Sequence, residues 1–201
     1  MATFFTSDTH FQHKNILVLG DGRPFDGIDH HDEILIANWN SVVSSDDTVY
    51  HLGDVALGPW PVGLAKASRL NGHKKLAIGN HDRIFAKESE NRRERFRPDY
   101  EAVFEEIAEE YDFEHNGIRY RLSHFPAKEV VIGGKGDRFL DFRPEDDGAV
   151  IVHGHTHQDR VVTYTDRGTP QISVGVDANS FAPVSLKSIE EHIKEIYDRR
   201  T

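Results

Sequence analysis

The chain has 201 residues, 37% hydrophobic and 29% charged, with a formal net charge of −10. That length suits one domain over residues 1–201, no apolar run approaches the ~18 residues of a membrane span, and the acidic balance disfavours stable nucleic-acid binding. Zero cysteines exclude disulfides and thiolate chemistry, whereas thirteen histidines supply the commonest metal ligand.

The start, Met1 to Phe5, lacks the charged segment and apolar core of a signal peptide, so a cytoplasmic location is expected, and the missing cysteines fit it. Phe4 to Thr6 reads as a strand that hands over to Ser7-Asp8-Thr9-His10. Asp-x-His spacing puts both side chains on one side of an extended segment, where they can grip one ion. His13, Lys14 and Asn15 follow in a loop, either solvated or near a substrate. Gly20 to Gly27 is dense in Gly and Pro, as surface loops are. Asp29 is placed to cap a helix in which Ile34, Leu35, Asn38, Trp39 and Val42 recur at helical spacing. His30 and His31, at its acidic start, are expected to be solvated.

Thr48 to Leu52 is β-branched and aromatic, a strand that packs His51 and ends in Gly53-Asp54. Trp60 to Leu70 reads as a crossover helix stopping at Asn71-Gly72. Lys75 to Ile78 returns as a strand and delivers Gly79-Asn80-His81-Asp82. That tetrapeptide alone fits an Asx-type turn with a solvated histidine as well as it fits chemistry. Strands and helices alternating at this spacing imply parallel strands with helices on their faces.

Lys87 to Arg97 carries five basic and three acidic residues, a solvated helix or loop, with Arg92, Arg93 or Arg95 facing an anionic substrate as the alternative. Glu101 to Glu114 has seven acids and no Lys or Arg. With Val103, Phe104, Ile107 and Ala108 on one face, it is expected to form an amphipathic helix. Its end overlaps a β-hairpin over Asp112 to His115 and Ile118 to Leu122, turned by Asn116-Gly117 and leading to Ser123-His124. Gly133-Gly134-Lys135-Gly136 is expected to be a flexible loop, since it lacks the P-loop pattern. Ala149 to Val152 is a buried strand running into His153-Gly154-His155-Thr156-His157. Val161 to Thr165 and Gln171 to Val176 form a further hairpin, and Leu186 to Tyr197 a closing amphipathic helix.

Asp8 with His10, Asp54, Asn80 with His81 and Asp82, His124, and His155 with His157 thus all stand at strand ends. Carboxyl ends of parallel strands share one edge of a sheet, so these groups can meet in one crevice. The ordered set resembles the calcineurin-like metallophosphoesterase superfamily, and within it the small single-domain bacterial and phage-type phosphoesterases. Arg23-Pro24-Phe25 and the Trp39-Asn40 helix are similar to those small members too. The resemblance implies an α/β fold, a two-sheet β-sandwich flanked by helices in four αββα layers. It implies that Asp8, His10 and His157 hold one metal ion and Asn80, His124 and His155 another, with Asp54 bridging them. It also implies that His81 is the general acid, oriented by Asp82.

The residue types suit that chemistry. A carboxylate with two oxygens can bridge divalent ions ~3.5 to 4 Å apart, water between such ions ionises near neutrality, and the ions offset phosphoryl charge. A departing alkoxide needs a proton, which an imidazolium near its unperturbed pKa of ~6.5 can give. Nitrogen and oxygen ligands suit Mn²⁺, Fe or Zn²⁺, and Mn²⁺ is expected first. His153 is expected to pack or hydrogen-bond beside the ligands. Protein phosphatases of the family carry Asp-Arg-Gly after the bridging Asp and Glu after the acid histidine; Val55-Ala56-Leu57-Gly58 and Asp82 stand here instead. The expected activity is therefore a phosphodiesterase on small or nucleotide diesters, cyclic ones included. A phosphomonoesterase, a nuclease and a catalytically silent metal-binding scaffold are the alternatives.

Overall fold

A computed structural model describes residues 1–19, 22–127 and 139–198. The loop expected at Gly133 to Gly136, and Gly20 and Asp21 of the first loop, lie outside the described residues. Two mixed five-stranded sheets form the frame. In the first, β1 (Thr3–Thr6), β2 (Thr48–His51), β3 (His73–Ala77) and β4 (Glu106–Ala108) run parallel, and β10 (Val184–Ser185) joins β1 antiparallel. In the second, β5 (Glu110–His115) and β6 (Ile118–Ser123) make an antiparallel hairpin. β7 (Val150–His153) and β9 (Pro170–Ser173) add to it in parallel, and β8 (Val162–Tyr164) closes the edge antiparallel. Helices α1 (Ile28–Val42), α2 (Trp60–Ala67), α3 (Glu90–Glu101) and α4 (Leu186–Asp198) flank the sheets.

Strand alternation sorts the core into two clusters. Val49, Leu76 and Ile78 pack with Leu35, Trp39, Leu64 and Tyr100 of α1, α2 and α3. Phe5, Leu52 and Ala77 point the other way, into a cluster with Tyr120, Leu122 and Val152 of the second sheet and with Ile189 and Ile193 of α4. Leu52, Leu76 and Leu122 are wholly buried, each stabilising the fold by about 2 kcal/mol relative to an exposed position. This packing fixes where the strands end, and therefore where the polar groups after them lie. Among the described residues no helix is long and apolar enough to cross a membrane.

Three expectations are corrected. The acidic segment Glu101 to Glu114 is not a helix: α3 ends at Glu101, and β4 and β5 follow. Ile107 pairs beside Leu76 and Tyr111 beside Leu122. Tyr111 and Phe113 join the inter-sheet cluster while Asp112 and Glu114 stay exposed, a period of two that sheet pairing imposes over local propensity. Asp29 does not cap α1, whose N-cap is Gly27 with no side-chain bond; it sits in the first turn, where a carboxylate suits the helix dipole. His31 is not solvated. It lies on the buried face of α1 with Asp32, Leu35 and Trp39, at helical spacing.

Candidate metal centre

β1 and β2 continue to pair after their regular strands end: the N–H groups of Asp8, His10 and Phe11 donate to the carbonyls of Gly53, Asp54 and Val55 at 3.0, 3.0 and 2.9 Å. That zipper sets Asp8 and His10 beside Asp54. Asp8, His10, Asp54, His155 and His157 all have positive φ, five of the nine such non-glycine residues described. Side-chain-bearing residues adopt that region at a cost, and they do so most often at functional sites. Two neighbouring glycines are required by space: a Cβ on Gly79 would strike the Asp54 carboxylate, and one on Gly154 the Asp8 carboxylate and Ser7.

All seven expected ligands come together, in two groups that share Asp54. Asp8, His10, Asp54 and His157 each offer a ligand atom, all within 4.8 Å of one another. In the second group His124 Nε2 is 3.0 Å from Asn80 Oδ1 and 3.2 Å from His155 Nδ1. Asp54 Oδ2 lies 3.5 Å from His10 Nε2 and 3.6 Å from His124 Nε2. Asp54 Oδ1 accepts the His81 backbone N–H at 2.8 Å, so a single oxygen faces both groups rather than one oxygen each.

The hydrogen-bond directions fit cations. His124 Nδ1 is 2.8 Å from the Leu52 carbonyl and His157 Nδ1 is 3.0 Å from Asp177 Oδ2. Each Nδ1 must donate to such an acceptor, which in the neutral ring leaves Nε2 as a lone pair. Those lone pairs aim at other acceptors: Asn80 Oδ1 and Asp54 Oδ2 from His124, and Asp8 Oδ1 at 3.6 Å from His157. His10 Nε2 and His157 Nε2 are 3.1 Å apart, and buried Asp8 Oδ1 has no hydrogen-bond partner. Acceptors converging on acceptors in a buried site are reconciled by positive ions between them.

The electrostatics agree. Burial, then Asp8 and Asp82, push the Asp54 carboxyl well above its ordinary range. Burial, then His157, holds His10 well below the usual histidine value, and burial with His124 takes His155 to about 2. Burial also works against His157, but Asp8 and the Asp177 hydrogen bond outweigh it and raise its pKa, so positive charge is favoured beside those carboxylates.

Asp82 does not orient the His81 ring. Its carboxylate accepts the backbone N–H groups of Gly79 at 2.8 Å, Asp54 at 3.0 Å and Val55 at 3.1 Å, clamping the loops of Asp54 and Asn80 together. The His81 ring is 44% exposed, with Nε2 4.0 Å from Asp54 Oδ2. Its pKa is not near 6.5: burial, then His124, lowers it to about 4, so the free protein carries it neutral. His51 packs as expected, stacked on Trp39, with Nε2 2.9 Å from Thr9 Oγ1. His153 is buried and donates from Nδ1 to the Gly154 carbonyl at 2.8 Å.

Two supporting residues were not anticipated. Arg23 is buried and binds Asp177 bidentately, Nε to Oδ1 and Nη2 to Oδ2, both at 2.8 Å. Its other donors reach the Asp8 carbonyl at 2.7 Å, the Thr9 carbonyl at 3.2 Å and His31 Nε2 at 2.9 Å. Arg23 therefore ties the Asp8–His10 turn to Asp177, and Asp177 holds His157. The available signal was position: Asp177 follows the strand-like alternation Ile172, Val174 and Val176, as the expected ligands follow their strands.

A cavity of about 340 Å³ opens over His10, His81 and His157, with His13, Arg23 and the apolar Ile16, Leu19 and Phe181 in its wall. A second, of about 150 Å³, also reaches Asn80 and His81.

The gene 66 protein of Mycobacterium phage L5 is 33% identical over 186 residues, 88% of this chain and 86% of that one. An uncharacterized protein of Methanocaldococcus jannaschii is 30% identical over 199 residues, covering 96% and 91% of the two chains. The crystal structure of a protein of unknown function from Aquifex aeolicus aligns with a TM-score of 0.70 and 28% identity, over 94% of this chain and 98% of that one. The family model of the calcineurin-like phosphoesterases matches residues 1–159, a span that contains every expected ligand from Asp8 to His157. The chain belongs to the calcineurin-like phosphoesterase family.

Proposed function

We propose that this phosphoesterase is a phosphodiesterase acting on small or nucleotide diesters, cyclic ones included, with two divalent cations, Mn²⁺ first among the candidates. Asp8, His10, Asp54 and His157 would hold one cation, and Asp54, Asn80, His124 and His155 the other. The observation that carries the reading is the double reach of Asp54 Oδ2, 3.5 Å from His10 Nε2 and 3.6 Å from His124 Nε2. When bound, such cations make water a stronger acid and offset phosphoryl charge.

The protein's own groups do the rest. Asp177 and the Leu52 carbonyl fix the tautomers of His157 and His124, so that their Nε2 lone pairs face inward. Asp82 holds the loops of Asp54 and Gly79 in register. Neutral His81 still presents one N–H, a donor for a phosphoryl or leaving oxygen. An anionic substrate beside it raises its proton affinity; the ring then takes up a proton from solvent and, as the imidazolium, gives it to the departing alkoxide, returning to the neutral form.

Diesters are favoured over monoesters because both cavities have His81 in their walls, giving room for an ester group on either side of it. The net charge of −10 supports a small substrate over a long nucleic acid, and the absence of cysteine supports a reducing cytoplasm. The test compares bis-p-nitrophenyl phosphate with p-nitrophenyl phosphate on Mn²⁺-loaded protein. Faster diester turnover is expected; a faster monoester reassigns the activity to a phosphomonoesterase, and neither turning over at full metal occupancy makes the protein a scaffold.

A further inference from the structure

We propose that the second cavity is an anion subsite for a phosphate group carried elsewhere on the substrate, so that the diesters this protein prefers are nucleotides bearing an additional terminal phosphate. The proposal deepens the phosphodiesterase reading and rests on it. The cavity is bounded by Asn80 and His81 on one side and by Trp60, Arg83, Glu88 and Arg92 on the others. It therefore adjoins the place where the phosphoryl group is bound.

Arg83 is prepared for such a ligand. Its backbone N–H donates to buried Tyr100 Oη at 3.0 Å, which fixes the start of the side chain. Its guanidinium lies over the rings of Trp60 at 5.3 Å and Phe96 at 5.1 Å, themselves edge to face at 4.8 Å. Ring contacts hold a guanidinium by its faces and leave its in-plane N–H donors for a ligand. No carboxylate among the described residues pairs with it.

Arg92 is the member of the basic run that reaches the cavity; Arg93 and Arg95 are not in its wall. Its pair with Glu88, at 3.2 Å and with both side chains partly exposed, is of a kind worth little, so Arg92 can turn to an incoming anion. Two guanidiniums against one carboxylate leave the cavity net positive within a chain of net charge −10. Two planar forks facing one space suit the several oxygens of a phosphate. The competing structural reading makes Arg83 only a strut that joins α3 to α2 through the aromatic rings; a strut would not discriminate between substrates.

The discriminating pair is TpT and pTpT, thymidine dinucleotides with the same scissile diester and differing by a terminal 5′-phosphate. With Mn²⁺-loaded protein, kcat/KM for pTpT should exceed that for TpT by at least about tenfold, the scale of one or two charge-assisted hydrogen bonds. Arg83→Met and Arg92→Met, which keep an apolar stem for Trp60 and Phe96, should each pull the ratio toward unity, and Arg83→Lys should keep part of it. The ratio is internal, so a loss common to both substrates does not move it, and Arg92→Met carries the test should Arg83→Met fail to fold. A ratio near unity in the parent protein, or one unmoved by both Met variants, overturns the subsite while the phosphodiesterase reading stands. If neither dinucleotide nor bis-p-nitrophenyl phosphate is cleaved, that reading falls, and calorimetric titration of the same dinucleotides decides the subsite: tighter pTpT binding that the Met variants abolish upholds it, and equal binding overturns it.

Discussion

Replacing Asp177 by Asn should weaken cation binding while leaving all seven proposed ligands in place. Asp177 Oδ2 accepts from His157 Nδ1 at 3.0 Å and from Arg23 Nη2 at 2.8 Å, and Oδ1 accepts from Arg23 Nε at 2.8 Å. An amide turns one of those acceptors into a donor. Facing His157, it would favour the tautomer with the proton on Nε2, the atom that must be a lone pair. In the place of Oδ1 it would oppose Arg23 Nε alone and leave His157 a neutral carbonyl in exchange for a carboxylate, a weaker acceptor, while Arg23 keeps the Asp8 and Thr9 carbonyls and His31 Nε2. Loss of a partner behind a ligating histidine typically weakens metal binding by about 10- to 100-fold, or about 1.4 to 2.7 kcal/mol. Losing a charged acceptor for buried Arg23 should cost up to about 3 kcal/mol of stability. Calorimetric titration of metal-free protein with Mn²⁺, beside a thermal melt of each variant, reads both numbers. An Mn²⁺ affinity within about twofold of the parent, in a folded variant, would refute the argument, because that is well short of the expected loss.

His81→Ala should keep its metal content by elemental analysis and lose about 10²- to 10⁴-fold in diester turnover; an unchanged rate removes His81 from the chemistry. Asp54→Asn should lose at least one ion, and full occupancy would contradict the shared carboxylate. Burial lowers His51 to about 3, against about 6.5 in the unfolded chain. The unfolded state therefore binds more protons between those values, and unfolding free energy should fall as pH drops from about 6.5 toward 3, by about 5 kcal/mol at most. His51→Gln should flatten that slope in denaturant titrations at several pH values; an identical slope would mean the acid sensitivity lies elsewhere.

Where a residue's position follows from what precedes it in the chain, the sequence was enough. Strand runs such as Val49 to Leu52 and Val150 to Val152 are buried on both faces and mark their own ends, so Asp54 and His155 could be placed at the sheet edge. The helical period over Glu101 to Glu114 misled because edge strands such as β4 and β5 bury only one face, and a few apolar residues among acids suit either period until a neighbouring strand selects one. The burial of His31 and the grip of Arg23 on Asp177, 154 residues away, depend on contacts between distant segments that no local pattern encodes. The same holds for Asp82, whose adjacency to His81 suggested a partnership that the turn geometry gives to three backbone N–H groups instead.

Anomalous diffraction from crystals soaked in Mn²⁺ tests the metal centre most directly. The expected map has two peaks, one among Asp8, His10 and His157 and one among Asn80, His124 and His155, both in contact with Asp54. A single peak, or peaks away from Asp54, would contradict the two-cation centre and the chemistry drawn from it.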